Sequence, residues 1–251
     1  FGTPEQCERM LPPVVSGKER ACFAVTEPNT GLNTTQLKTK AVRDGDKYVV
    51  NGQKVWISTA QVAEKILLLA RTTPLEDVKT PTRGLSLFYT DFDRKRIAVH
   101  EIEKMGRKAV DSNELFIENF EIPVADRIGE EGRGFEYILH GMNPERILIA
   151  AEAVGLGKLA LSRAAAYAKN RIVFNRPIGQ NQGIQHPLAK NWMELEAAWL
   201  MVMSAGWQYD QGVPCGPAAN AAKYLAGEAG FQACEQAVMT HGGFGYAKEY
   251  H

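Results

Sequence analysis

Between Ala21 and Ile128 apolar and polar residues alternate in short runs, the two-residue period of half-buried strands. The stretch "LKTKAVRDGDKYVVNGQKVWIS" (37–58) alternates around Asp44-Gly45 and Asn51-Gly52, each with the form of a two-residue hairpin turn. "KILLLART", "GLSLFYTDF", "IAVHEIEK" and "ELFIENFEI" follow at strand length, parted by Pro, Gly and charged residues. Such a series predicts an antiparallel sandwich or barrel. Past Ile128 the period lengthens. Helical spacing runs through 143–168, 184–211 and 217–240, on Ala-rich faces suited to close helix contact, with Pro177, Pro187, Pro214 and Pro217 as punctuation. "GEEGRGFEYIL" (129–139) joins the halves. The expected fold class is α+β. Residues 1–20 read as the end of a preceding helical segment, 21–128 as the β domain, and 129–251 as a truncated up-down helical bundle.

Composition narrows the function. With 251 residues and 45% hydrophobic content the chain can bury more than one core. Lys+Arg and Asp+Glu both total 29, which argues against a nucleic-acid or membrane-surface partner. Glu152 and Lys158 interrupt the longest candidate for a membrane span. Cys7, Cys22, Cys215 and Cys234 lack metal-ligand spacing and, with no signal peptide, read as reduced thiols of an intracellular protein: cytoplasmic, or of the mitochondrial matrix in a eukaryote. The chain begins at Phe1 and stops after "GGFGYAKEYH", so it reads as a piece of something longer. His100, His140, His186, His241 and His251 form no metal-binding pattern. Without GxSxG, a Walker loop or GxGxxG, any nucleotide cofactor binds on something other than a Rossmann unit.

Five stretches carry candidate chemistry. "FAVTEPNTGLNTTQLKTKA" (23–41) is a strand running into a Thr-Glu-Pro turn, whose amides and hydroxyls suit a polar ligand edge or simply close the turn. In "KVWIS" (54–58) a strand puts Trp56 and Ser58 on one side and Ile57 on the other: a wall and a hydroxyl for a planar heteroaromatic, or a Trp covering the core. "RIVFNRPIGQNQ" (171–182) offers arginine forks for phosphate and an aromatic for a base, or an exposed basic turn. The glycine pair in "MTHGGFGY" (239–246) allows close approach by a ligand, or caps a helix. In "MNPERILIAAEAVGLG" (142–157), Asn143-Pro144-Glu145 has the form of N-cap, N1 and N2. If the helix instead starts near Gly134, Pro144 marks a kink and Glu145 lies mid-helix, facing a cavity.

In this order, "VTEP", "NGQKVWIS", "KMGRKAVDSNELFIENFEIP", "ERILIAAEAVGLG", "RIVFNRPIGQNQ" and "HGGFGYAKEY" resemble the acyl-CoA dehydrogenase family along the whole chain. The resemblance implies a flavoprotein holding FAD between a middle β domain and a C-terminal helical bundle. It also implies a homotetramer, an acyl-CoA substrate losing hydrogens from Cα and Cβ, and an electron-transfer flavoprotein as acceptor. By motif position, Phe23, Val25 and Thr26 line the isoalloxazine, Trp56 walls it and Ser58 hydrogen-bonds near N5. Arg171, Phe174 and Gln182 resemble the diphosphate and adenine contacts that reach into a neighbouring subunit, and Gly242 and Gly243 the close turn on the ADP side.

Departures from the family pattern fall mostly at the CoA end. Gly31-Leu32-Asn33 stands where Gly-Ser-Asp is usual, Phe174-Asn175 where Phe-Gly is usual, and Met239 where Gln is common. The family's N-terminal helical domain and the C-terminal stretch that carries the catalytic Glu in many members lie outside this sequence. The isovaleryl and long-chain branches place that Glu immediately before the arginine of "ERILIAA", which makes Glu145 the expected α-proton base, beside Asn143 and Arg146 on the substrate side. The same fold hosts acyl-CoA oxidases and flavin monooxygenases, and a redox-inactive scaffold is a third reading.

Overall fold

The computed structural model describes residues 1–250; His251, the last of the histidines considered above, lies outside the described residues. The chain divides into two compact units, Phe1–Leu139 and His140–His251.

The first unit opens with helix α1, Pro4–Val15. Its start is a capping box: the Thr3 hydroxyl accepts from the Gln6 amide, and the Gln6 side chain accepts from Thr3 N–H. Eight strands follow: β1 Ala21–Ala24, β2 Lys40–Asp44, β3 Lys47–Ser58, β4 Lys65–Arg71, β5 Leu85–Asp91, β6 Ile97–Glu101, β7 Ser112–Pro123 and β8 Arg127–Ile128. They form one sheet in the order β6-β7-β3-β2-β4-β5-β8, with β1 alongside β4. The expectation of a wholly antiparallel sheet is corrected at two places, since β1–β4 and β2–β4 run parallel. The hydrogen-bonded path runs from β6 to β8 without closing into a barrel among the described residues.

Both faces of β4 are covered. Ile66, Leu68 and Ala70 join the main core with Tyr48, Phe88 and Ile117, whereas Leu69 joins a second cluster with Val25, Leu37, Leu85 and Leu87. A strand buried on both faces reads as a continuous apolar run, which is why "KILLLA" does not alternate.

The two hairpin signals part company. Asp44-Gly45 does turn β2 into β3, with Gly45 at φ +63°. Asn51-Gly52 does not turn. It lies inside β3 at a register shift against β7, where Asn51 Oδ1 accepts from Asn119 N–H. Gly52 is needed there for space: a Cβ at this position would lie 2.6 Å from Thr39 Cα.

The second unit is helical. Helix α2 covers Gly134–Asn170, α3 Gln182–Asp210 and α4 Gly216–His241, and a short hairpin of β9 (Ile172–Val173) and β10 (Arg176–Pro177) sits between α2 and α3. Of the two starts considered for α2, residue 143 is nine residues late and Gly134 is the one found, so 134–139, read as a joining segment, is already helix. The bundle core pairs Val154, Leu161, Leu195 and Val202 with Ala222, Ala226, Ala229 and Ala233. Small residues let α2 and α4 touch: a Cβ on Gly230 would lie 2.7 Å from the Ala153 carbonyl oxygen. Among the described residues no helix is long and apolar enough to cross a membrane.

Candidate functional site

Trp56 and Ser58 are exposed and Ile57 between them is buried, as the strand alternation requires. The rest of the geometry was not readable from alternation. β3 shifts register against β7 between Lys54 and Ile57, and Trp56 at the bulge has φ +62°. Thr59, one residue past Ser58, has φ +68°. Left-handed backbone is costly for an indole and more so for a β-branched residue, on the order of 1–3 kcal/mol each, and persists only where neighbours impose it.

The neighbours that impose it are visible. Val55 N–H donates to the Thr26 carbonyl at 2.9 Å, which ties the bulge to the segment leaving β1. Asp111 accepts from Thr59 N–H at 3.1 Å and Gln61 N–H at 3.3 Å, and the buried Asn113 donates to the Ile57 carbonyl at 2.8 Å. Phe23 is 42% exposed and Trp56 59%, two large aromatic surfaces left open on this unit. Thr26 is half-buried, and Val25 is buried in the second cluster, so Val25 offers backbone more than side chain. Phe23 to Thr26 and Trp56 to Ser58 are thus brought together around one hydrogen bond.

Burial raises the Asp111 pKa, but hydrogen bonds from Asn113, Gln61 and Thr59 outweigh it and leave the carboxyl below its ordinary value. A lowered folded-state pKa gives stabilisation that is complete above the ordinary carboxylate value and lost as pH falls through the lower, folded one. Acidification below about pH 4 is therefore expected to loosen the turn after Ser58 and change tryptophan fluorescence. In Asp111→Asn that acid step should shrink; an unchanged step would place its origin elsewhere.

Two residues of this site, Glu27 of the Thr-Glu-Pro turn and Lys54 at the start of "KVWIS", had no role assigned from the sequence. Lys54 has no exposed side chain, and its Nζ donates to the Val25 carbonyl (2.8 Å), the Leu69 carbonyl (2.8 Å) and Glu27 Oε1 (3.0 Å). Glu27 is also buried, and its carboxylate accepts from Lys38 N–H at 2.7 Å and Thr39 N–H at 2.9 Å. Burial lowers the Lys54 pKa against the pull of Glu27. Burial raises that of Glu27, but Lys54 and the Lys38 and Thr39 hydrogen bonds leave it lowered overall. With one carboxylate, two carbonyls and no donor facing it, the Lys54 nitrogen is an ammonium. A strict two-residue period would place Lys54 on the exposed face of Trp56; the extra residue at the bulge turns it inward.

In the second unit Arg171, Gly242 and Gly243 line one open depression of about 670 Å³, with Tyr167, Met239 and Phe244. The Arg171 guanidinium lies 5.8 Å from the Phe244 ring centroid. Gly242 ends α4 at φ +59°, ψ −133°, a conformation suited to glycine, and its N–H donates to the Met239 carbonyl. Phe174 and Gln182 do not line this depression. Phe174 is 94% exposed at the tip of the β9–β10 hairpin, where it and Asn175 have φ +53° and +62°. Two positive φ values make a primed hairpin turn, and Asn tolerates the second position as the usual Gly would. Gln182 is exposed at the first turn of α3.

The N-cap reading of Asn143-Pro144-Glu145 is overturned. α2 runs unbroken from Gly134 through Pro144 to Asn170, so Glu145 lies about three turns past its start and caps nothing. Asn143 Oδ1 accepts from Arg146 Nη1 at 3.0 Å, one helical turn apart. Glu145 is exposed, where a cavity wall had been expected, and shares its stripe of α2 with Leu148, Leu156 and Leu159, which are 70%, 55% and 50% exposed.

The family models for the acyl-CoA dehydrogenase middle domain and C-terminal domain match residues 22–120 and 132–251. The chain is 39% identical to an acyl-CoA dehydrogenase of Mycobacterium tuberculosis, over 100% of this chain and 64% of that protein. It is 34% identical to the caffeyl-CoA reductase-Etf complex subunit CarC of Acetobacterium woodii, over 99% of this chain and 65% of that protein. The butyryl-CoA dehydrogenase structure of Megasphaera elsdenii superposes with a TM-score of 0.94 at 31% identity, covering 100% of this chain and 65% of that one. The chain thus spans less than two thirds of the length of these relatives. It belongs to the acyl-CoA dehydrogenase family.

Proposed function

We propose that this chain is the middle and C-terminal part of an FAD-dependent enzyme that desaturates an acyl-CoA thioester between Cα and Cβ. Glu145 supports the reading most directly: it is an exposed carboxylate beside exposed leucines on an unbroken helix, on a stripe it shares with Glu152 and Arg163, and it has no capping role. Membership of the family adds the substrate class. The residues present fit a bound flavin. An exposed indole and hydroxyl on a bulge held in costly backbone geometry suit a ring, and an exposed arginine beside a glycine turn suits a diphosphate.

FAD, when bound, supplies the acceptor for the electron pair of the β C–H bond. The chain's own groups do the rest. Phe23, Val25 and Thr26 line the ring and Trp56 walls it. Ser58 offers a fixed donor near N5, where electron density grows during reduction. Arg171, Phe174 and Gln182 would reach the diphosphate and adenine of an FAD shared with a neighbouring subunit, with Gly242 and Gly243 beside its ADP. Glu145 takes the α-proton as the Cα–Cβ double bond forms, and Asn143 and Arg146 face the substrate. The Acetobacterium woodii relative, named as part of an Etf complex, supports an electron-transferring flavoprotein as the redox partner.

The test of the cofactor is extraction from the full-length protein: FAD is expected, and FMN would refute the diphosphate assignment. Arg171→Ala is expected to weaken FAD binding by one to two decades, the worth of a charge-assisted contact of about 1.5–3 kcal/mol.

We also propose a homo-oligomer, a tetramer as in the family pattern. Trp192, Leu200, Trp207, Tyr224 and Phe231 are all more than half exposed on the bundle, more large apolar surface than a monomer of this size commonly leaves in water. Sedimentation of the full-length protein should show a species several-fold heavier than one chain; a monomer saturated with FAD would contradict this.

A further inference from the structure

The edge of β4 is shared by two strands that do not meet. β1 pairs with Lys65 to Leu68, and β2 reaches β4 only at Arg71, whose N–H donates to the Thr39 carbonyl. Leu69 falls in the gap, fully buried, with its carbonyl turned to a seam that no strand fills. Val25, the first residue past β1, presents a second buried carbonyl to the same seam. Two orphan carbonyls in an apolar core are costly, and the Lys54 ammonium satisfies both while its third N–H meets Glu27. Glu27 in turn anchors Lys38 and Thr39, the entry to β2. One buried cation thereby joins β1, β3 and β4 at the point where the Val25–Thr26 segment leaves the sheet.

That placement has a consequence for the ring contacts. Lys54 holds the Val25 carbonyl, and the next residue, Val55, holds the Thr26 carbonyl. The residue after that is Trp56, at its left-handed bulge. We propose that Lys54, clamped by Glu27, is a positioning residue for the flavin ring, fixing in one register the Val25–Thr26 segment and the Trp56 bulge. The proposal rests on the flavin reading above. Stability alone is a weak reason for the pair, because buried ion pairs are commonly matched or bettered by apolar residues of similar volume.

The test uses the full-length holoenzyme and three variants: Lys54→Met, Glu27→Gln, and the double variant Lys54→Met/Glu27→Gln, which leaves no unpaired buried charge. Thermal midpoint, the visible spectrum and midpoint potential of the bound flavin, and the rate of its reduction by acyl-CoA are measured for each. Expected is a double variant that folds and holds flavin, yet has a changed flavin spectrum and potential. Its reduction rate falls about tenfold or more, the penalty that misplacement carries in preorganised sites, with little change in acyl-CoA affinity. Glu27→Gln, which keeps an acceptor for Lys54, should fall between the double variant and the wild type. A double variant that matches the wild type in spectrum, potential and rate would overturn the proposal. So would one that fails to fold, since the pair then serves folding. Wild-type protein without flavin would instead overturn the functional reading itself, and this proposal with it.

Discussion

Glu145→Gln in the full-length enzyme is expected to keep its FAD and to lose flavin reduction by acyl-CoA at least ~100-fold, the usual worth of a positioned general base. The amide keeps the size of the carboxyl and cannot take a proton, so binding and chemistry separate cleanly. Two alternatives for this residue would give other results. A helix cap would show a loss of about 1 kcal/mol in stability with normal reduction, but α2 begins at Gly134 and leaves Glu145 no cap to make. An ion pair with Arg146 would also show in stability, but Arg146 donates to Asn143. Near-normal reduction in the Gln variant would put the base in another segment of the full-length enzyme.

Gly52→Ala should lower stability by about 3 kcal/mol, at the upper end of overpacking costs. For a protein of this size that is a fall of roughly 6–12 °C in thermal midpoint. The added Cβ would lie 2.4 Å from Thr39 Oγ1 and 2.6 Å from Thr39 Cα. Thr39 has little room to move. Its N–H is bound to Glu27, its carbonyl accepts from Arg71 N–H, and its hydroxyl donates to the Gln53 carbonyl at 3.3 Å. The strain is expected to reach Glu27 and Lys54, so FAD retention should fall along with the melting temperature. A variant that melts with the wild type would show that the two strands can part without cost.

Much of this was legible in the order of residues. Strand and helix periods are local, and β4, β5, β6 and β7 fell on the strand-length runs read from the sequence. The Asp44-Gly45 signal marked a real turn, with Gly45-Asp46 as its two loop residues, because such a loop is decided by the φ its own residues tolerate. Asn51-Gly52 has the same letters and made a bulge, because the partner strand β7 and the packing of Thr39 decided it. The cap reading of Asn143-Pro144-Glu145 failed for the same reason, and the other reading, a helix from near Gly134 with Glu145 mid-helix, is the one the structure has. The triplet reads as a cap in isolation, but a helix already running from Gly134, with Tyr137 and Ile138 buried in the second cluster, carries through the proline.

The residue types at the candidate site, Trp56, Ser58, Arg171, the glycine pair and Glu145, stand in the sequence because chemistry is carried by side-chain identity. Their motif spacing was enough to indicate the family. What the sequence left open was where each side chain points and what holds it there. The inward turn of Lys54, its match to Glu27 from 27 residues away, and the Asp111–Asn113 brace under Thr59 depend on a register shift and on strands distant in the chain. A one-residue slip reverses every facing in a strand, and no local pattern records it. Period and residue identity are properties of a segment; register, burial and pairing belong to the folded sheet.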